Sequence, residues 1–382
     1  MRKLNAKLFI FTALFVFAAA ALFPMPSMAD DAKYWTGEGE DNKWNTEANW
    51  GTDESVPGET DEVIINNISR SSPEIGEISD GGAKAFNLTI GNSGGAGRLT
   101  IITGGVLTVG NDDASGTLAI EENGELILDT EGERTILASK ILVRGGKFSG
   151  LAAGVFYYKD DERGLISVSS GGTLIFGSDM TIGRTVTEPN NEDYFLLDVN
   201  RGTLDTNGHD VTVKIPIYAG SITKAGAGAL IINYEDADLD NQDHNDDRSG
   251  NGVEGYWTIE EGTLRFAGER YFFGGMTIGS DENTSAPEDS VLHIPAGAVF
   301  TNEGVIINYD TIHIEGHFIN NDRIYSDNKL KITGDGKFEG NPVLPLSAII
   351  INRGGGGGCD AGTGLFALLS LAAASLFLKR RK

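Results

Sequence analysis

The chain has 382 residues, a formal charge of −25, 52 glycines and one cysteine. Abundant glycine without a three-residue period excludes a collagen-like chain, and a lone cysteine excludes an internal disulfide framework. The bases Arg2, Lys3, Lys7, Lys379, Arg380, Arg381 and Lys382 sit at the two ends, so the segment between them is more acidic still. With no basic stripe there, nucleic acid is excluded as a partner and an anionic lipid surface is disfavoured.

Residues 1–29 read as a secretory signal. Arg2, Lys3 and Lys7 form the charged start, Leu8 to Phe23 the apolar run, and Pro24 and Pro26 its break. Ser27-Met28-Ala29 is a small-x-small site, so signal peptidase is expected to cut between Ala29 and Asp30. No cysteine follows the apolar run, so the lipoprotein pattern is missing.

Residues 30–61 differ from the rest of the chain, with Trp35, Trp44 and Trp50 close together and then Pro57. The physical expectation is an aromatic N-terminal cap that covers the apolar interior of a first rung; a stacking platform for sugar rings is the alternative. The Trp-Asn, Asn-Trp, Pro and Asp61-x-Val63 sequence resembles the opening of autotransporter-type and sorted-surface β-helix proteins.

Residues 62–345 carry the organising pattern. Leu88-Thr89-Ile90, Leu99-Thr100-Ile101 and Leu107-Thr108-Val109 place two apolar side chains on one face and Thr on the other. Gly, Asn, Asp or Ser bounds each triplet, which suits short strands joined by corners that keep turning one way. A second signature, Gly-x-[Leu/Phe], opens strands at Gly105, Gly124, Gly146, Gly172, Gly202, Gly262, Gly316 and Gly336. The expectation is an all-β chain, a parallel β-helix or solenoid with roughly twenty residues per turn. Leu88, Ile90, Leu107, Val109, Leu126, Leu174, Phe176, Leu264 and Phe266 are expected to point inward. One such coil cannot stand alone, so stacking on its neighbours must stabilise it.

Lys224-Ala225-Gly226-Ala227-Gly228-Ala229-Leu230, with Gly262-Thr263-Leu264 further along, resembles the autotransporter-associated β-strand repeat. The resemblance implies a right-handed parallel β-helix in an exported protein. No translocating barrel follows, so export through such a barrel of its own is not expected.

Tyr234 to Gly252 is an acidic insertion without apolar period. Asp236, Asp238, Asp240, Asp243 and Asp247 are its calcium candidates, because calcium takes six to eight oxygen ligands. Asn241 and Asp247 depart from the EF-hand pattern, and a solvated loop is the plainer expectation.

Residues 346–358 end in a glycine run and read as a tether. Residues 359–382 begin with Cys359, continue with the apolar stretch Ala361 to Leu378, and end on four bases. That stretch is just long enough for a transmembrane helix with its basic end in the cytoplasm. Gly357-Gly358-Cys359-Asp360-Ala361-Gly362 resembles the core of the Synerg-CTERM type of C-terminal sorting signal. The resemblance implies a sorting protease as partner, with Gly357, Gly358 and Cys359 as its recognition site.

Catalytic patterns are sparse. There is no phosphate loop and no serine nucleophile elbow. His313 and His317 fall in expected strands, His293 lies two residues before Pro295, and no zinc spacing is evident. Surface or stacked histidines are the plainer reading. Asp198, Asp205 and Asp210, with His209, Arg201 and Lys214, are the set a polysaccharide lyase or glycosidase would need. Asp and Asn are also ordinary corner residues. The expectation is therefore an exported, sorted protein at a cell surface. Its role is structural, adhesive or interactive, towards surface polysaccharide or envelope protein, with no catalytic residues and no cofactor assigned. The alternative is a polysaccharide-active enzyme on the same scaffold.

Overall fold

Strands that alternate one buried and one outward residue must bury a single face, and short ones bury too little unless many are stacked. The computed structural model of the chain describes residues 32–348 apart from 40, 52–54, 68–71, 77–81, 112–113, 130–134, 153–155, 158–163, 184–194, 216, 235–251, 281–289 and 328–329. Among the described residues it is nearly all β, with two short 3₁₀ turns and no α-helix. The strand pairs form long parallel sheets.

The connectivity is clearest near the C-terminal end. Ser290–Ile294, Val299–Asn302 and Val305–Asn308 lie in three different sheets. Thr311–Ile314, His317–Asn320 and Arg323–Ser326 then add one strand to each of those sheets in the same order. This is the path compatible with a three-faced β-solenoid. Partners there stand 18 residues apart, as in Asn302 with Asn320 and Asn308 with Ser326. Nearer the N-terminus the spacing widens to 25, 30 and 31 residues, in Glu62 with Asn87, Asn87 with Thr117 and Ser167 with Asp198. The roughly twenty-residue turn thus holds for some coils along the chain, as in Ile136 with Phe156 and Val211 with Leu230, and longer corners stretch others, as in Glu269 with Val299.

One ladder runs without a break from Glu74–Ile75 to Arg323–Ser326. Its outward side carries a column in register: Arg98, Glu125 and Lys147, then Thr173, Thr203, Thr223, Thr258 and Thr277. Arg98 Nε donates to Glu125 Oε2 at 2.7 Å. Cross-strand Thr pairs and opposite charges of this kind each add a few tenths of a kcal/mol to about 1 kcal/mol.

The inner side is apolar and continuous. Leu88, Ile90, Leu107, Val109, Leu126, Leu174, Phe176, Leu264 and Phe266 are all at most 3% exposed, as their period required. Phe266, Phe300, Phe318 and Phe338 form a column of mutually tilted rings with centroids 4.9, 5.0 and 5.5 Å apart. Two corners carry buried amides. Asn302 Nδ2 donates to Asn320 Oδ1 at 2.8 Å, and Asn308 Nδ2 donates to Ser326 Oγ at 2.9 Å. These bonds satisfy polar groups that the corners bring inside.

At the N-terminal side, Lys33–Tyr34 already pairs in parallel with Val63 and Ile64, so the sheet reaches into residues 30–61. Trp35, Trp44 and Trp50 pack together there, all buried. Trp50 meets Trp35 and Trp44 edge-on, with centroids 5.1 and 4.7 Å apart, and its Nε1 donates to Trp44 O at 2.6 Å. Buried Asn49 ties the segment down by donating to Asp41 O and Lys43 O and accepting from Gly39 N.

Candidate functional site

Three sets of expected residues lie outside the described residues. They are Ala29 and Asp30, the acidic positions Asp236, Asp238, Asp240, Asp243 and Asp247, and the tail with Gly357, Gly358 and Cys359. Among the described residues no helix is long and apolar enough to cross a membrane.

The residues a polysaccharide enzyme would need are spread along corners and strands. Asp198 Oδ2 accepts from Ser167 Oγ at 3.1 Å on the outward side of a strand. Asp205 Oδ1 closes a turn by accepting from Asn207 N at 2.8 Å. Asp210 Oδ1 accepts from Ala229 N at 3.1 Å, and Asp210 N donates to Asp179 Oδ1 at 2.9 Å. His209 stands 3.5 Å from Asp179. Arg201 sits at a corner with φ of 60°. Asp198 with Ser167 is a cross-strand pair, and the bonds of Asp205 and Asp210 are those of Asp at turns.

Period 2 places Lys224 on the same inward face as Ile222, and Lys224 is fully buried. Its ammonium donates to Thr206 Oγ1 at 2.9 Å, Gly228 O at 2.7 Å and Glu261 O at 2.8 Å, and also to Gly226 O. Burial pushes its pKa down to about 8, while the charges of Asp205, Glu261 and Asp210 pull it back up. Gly262 has φ of +70°, and a Cβ there would lie nearest to Gly226 O and 2.5 Å from Lys224 Nζ. The lysine and the second glycine segment of the repeat therefore meet in one place: the side chain crosses the corner and fastens two successive turns. The sequence shows the motif, but not that its cation is caged by carbonyls.

A second cluster appears only once the register is known. His293 pairs with His313 on adjacent parallel strands, and their rings stack with centroids 4.9 Å apart and planes 15° apart. This is the stacked arrangement that the plainer reading of the histidines expects. Glu315 lies two residues beyond His313 on the same side. Its Oε2 is 3.3 Å from His293 Nε2 and its Oε1 is 3.6 Å from His313 Nε2. Arg265 Nε donates to His293 Nδ1 at 3.2 Å, and His313 Nε2 lies 2.9 Å from Thr333 Oγ1. Partial burial lowers the His293 pKa, with Glu315 pulling the other way. Residues twenty apart in the chain become neighbours here, which is why spacing rules for a single helix or loop miss the cluster.

With this geometry in hand, the comparisons with known proteins add one match. A family model described as a domain of unknown function (DUF8693) is similar to residues 34–138. That span holds the tryptophan cluster and the first parallel strands, up to Ile136–Leu137. No curated protein and no solved structure matches the chain.

Proposed function

We propose that the chain is an exported protein of a bacterial cell envelope, built as a right-handed parallel β-helix closed at its N-terminal end by an aromatic cap. Its role is structural or adhesive, presenting a long regular face towards surface polysaccharide or envelope protein. The observation that carries this reading is the unbroken ladder from Glu74–Ile75 to Arg323–Ser326 with its outward column of charges and threonines. Such a scaffold is stiff along its length and offers repeated polar groups at strand spacing. The acidic body keeps copies soluble and apart outside the cell. Handedness rests on the resemblance of the Lys224 and Gly262 segments to the autotransporter-associated repeat. Export and sorting rest on the two ends of the sequence.

The test is to follow the full chain and its Cys359→Ala variant in cell fractions. The expected wild-type product is shortened at both ends and open to added protease on intact cells. The variant is expected to be exported and cut after Ala29, but held in the inner membrane with its C-terminal segment uncut. A full-length wild-type chain in the cytoplasm, or a variant processed like the wild type, would overturn the reading of the ends. Turnover of a polysaccharide by the purified chain would overturn the non-enzymatic role.

A further inference from the structure

We propose that His293, His313 and Glu315 form a binding site for one divalent transition-metal ion of the zinc class. This goes beyond the surface role above and does not depend on it.

One ligand atom from each residue lies within 4.8 Å of the other two. The carboxylate already faces both imidazoles, at 3.3 Å from His293 Nε2 and 3.6 Å from His313 Nε2. Zinc bonds to nitrogen and oxygen of about 2.0–2.2 Å with tetrahedral angles put neighbouring ligand atoms about 3.3–3.6 Å apart. Each imidazole nitrogen already has one Glu315 oxygen at that distance, Oε2 for His293 and Oε1 for His313, so a small turn of the carboxylate sets the ligand oxygen.

Rigidity supports the same conclusion. Both histidines stand on strands paired on both sides, Ser290–Ile294 and Thr311–Ile314. The site therefore costs little ordering when an ion binds. Two imidazoles favour zinc, nickel or copper over calcium and magnesium, which take oxygen ligands. The side chains keep some exposure, 12% and 21% for the histidines and 37% for Glu315. Solvent can thus reach the ion and complete its shell, as in sites with three protein ligands.

Three neighbours oppose the ion: Thr333 Oγ1, 2.9 Å from His313 Nε2, must release that nitrogen, and Arg265 and Lys331 carry positive charge. A neutral His293 that coordinates through Nε2 carries its proton on Nδ1, which is the atom that Arg265 Nε now donates to. Arg265 has to turn away when the metal binds. Its charge, and that of Lys331 at the register position beyond His313, also repel the cation. Removing the Arg265 charge while leaving an acceptor should therefore tighten the site.

The experiment is calorimetric titration of the full-length chain with zinc chloride after chelation, followed by cobalt substitution and its visible ligand-field spectrum. The expected result is one ion per chain that calcium and magnesium in excess do not displace. His313→Ala should weaken binding roughly 10- to 100-fold or more, since even changes to the groups that orient metal ligands cost that much. Glu315→Gln, a milder surface change, should weaken it about tenfold, and Arg265→Gln should strengthen it. Equal zinc affinity in the wild type, His313→Ala and Glu315→Gln would overturn the site. So would displacement of the ion by calcium, which would point to carboxylates elsewhere.

Discussion

Lys224 and Gly262 occupy one corner together: the ammonium and two of the carbonyls it binds, Gly226 O and Gly228 O, fill the space that any side chain at 262 would need. Lys224→Met keeps the length but leaves Gly226 O and Glu261 O without their charged donor. A loss of about 1–3 kcal/mol is expected, chiefly at Glu261 O, because Gly226 O keeps Thr206 Oγ1 and Gly228 O keeps Thr263 N as donors. Gly262→Ala meets both the Nζ and a left-handed backbone, and should cost about as much or more. The two losses should fall short of additive in the double variant, because each breaks the same corner. Urea unfolding of the four proteins measures this; full additivity would mean that the cost at 262 comes from the carbonyls and the backbone rather than from the ammonium.

The buried amides allow a second test. Asn320 links two turns, accepting from Asn302 Nδ2 and donating its own Nδ2 to Asn341 O at 2.8 Å. Asn320→Ala strips partners from both neighbours and should destabilise the chain by about 1–3 kcal/mol. Hydrogen exchange should show the loss first at the strands His317–Asn320 and Lys337–Gly340. Unchanged protection there would show that the amide link carries no stability.

The inner side of the fold was readable because burial follows period 2, a local property. Leu88 and Ile90, or Leu264 and Phe266, announce an inward face without any knowledge of their neighbours. The spacing of turns was readable only coarsely, since corners between strands vary in length. Lys224 shows a further limit. The alternation puts it on the same side as Ile222, yet a lysine is rarely buried unless something cages it, and the cage comes from carbonyls at 226, 228 and 261. His293 and His313 were invisible as a pair for a related reason. Their meeting depends on the register of two strands twenty residues apart, which sequence spacing does not fix.

The phenylalanine column should show position dependence. Phe300 is fully buried between Phe266 and Phe318, whereas Phe338 on the last paired strand is only half-buried. Phe300→Ala should cost about 3–5 kcal/mol, the usual range for an interior aromatic. Phe338→Ala should cost distinctly less, because solvent already reaches it. Thermal unfolding ranks them, and equal losses would contradict the burial difference.

The last prediction concerns alkaline stability. Tyr234 is buried, its oxygen accepts from Ile217 N at 3.2 Å, and the Arg270 guanidinium lies 5.2 Å from its ring centre. Arg270 Nη2 also donates to Tyr234 O at 2.8 Å. Burial pushes the phenol pKa up from 10.0 to about 12, against the pull of Ile217 N–H and Arg270. Below pH 10 the phenol is protonated in both states, and its contribution is complete. Between 10 and 12 the unfolded chain releases the proton while the folded chain holds it, so stability falls as pH rises. Two pKa units correspond to about 3 kcal/mol lost by the top of that window. Lys224 acts in the opposite sense. With a folded pKa of about 8 against 10.5, its contribution grows as pH rises between those values. A comparison of wild type with Tyr234→Phe cancels the lysine. The variant should be less stable by about 1 kcal/mol at neutral pH, where Ile217 N–H loses its acceptor. It should then lose less than the wild type above pH 10, so the two unfolding curves converge or cross. Parallel pH profiles for the two proteins would show that the Tyr234 phenol ionises as freely folded as unfolded.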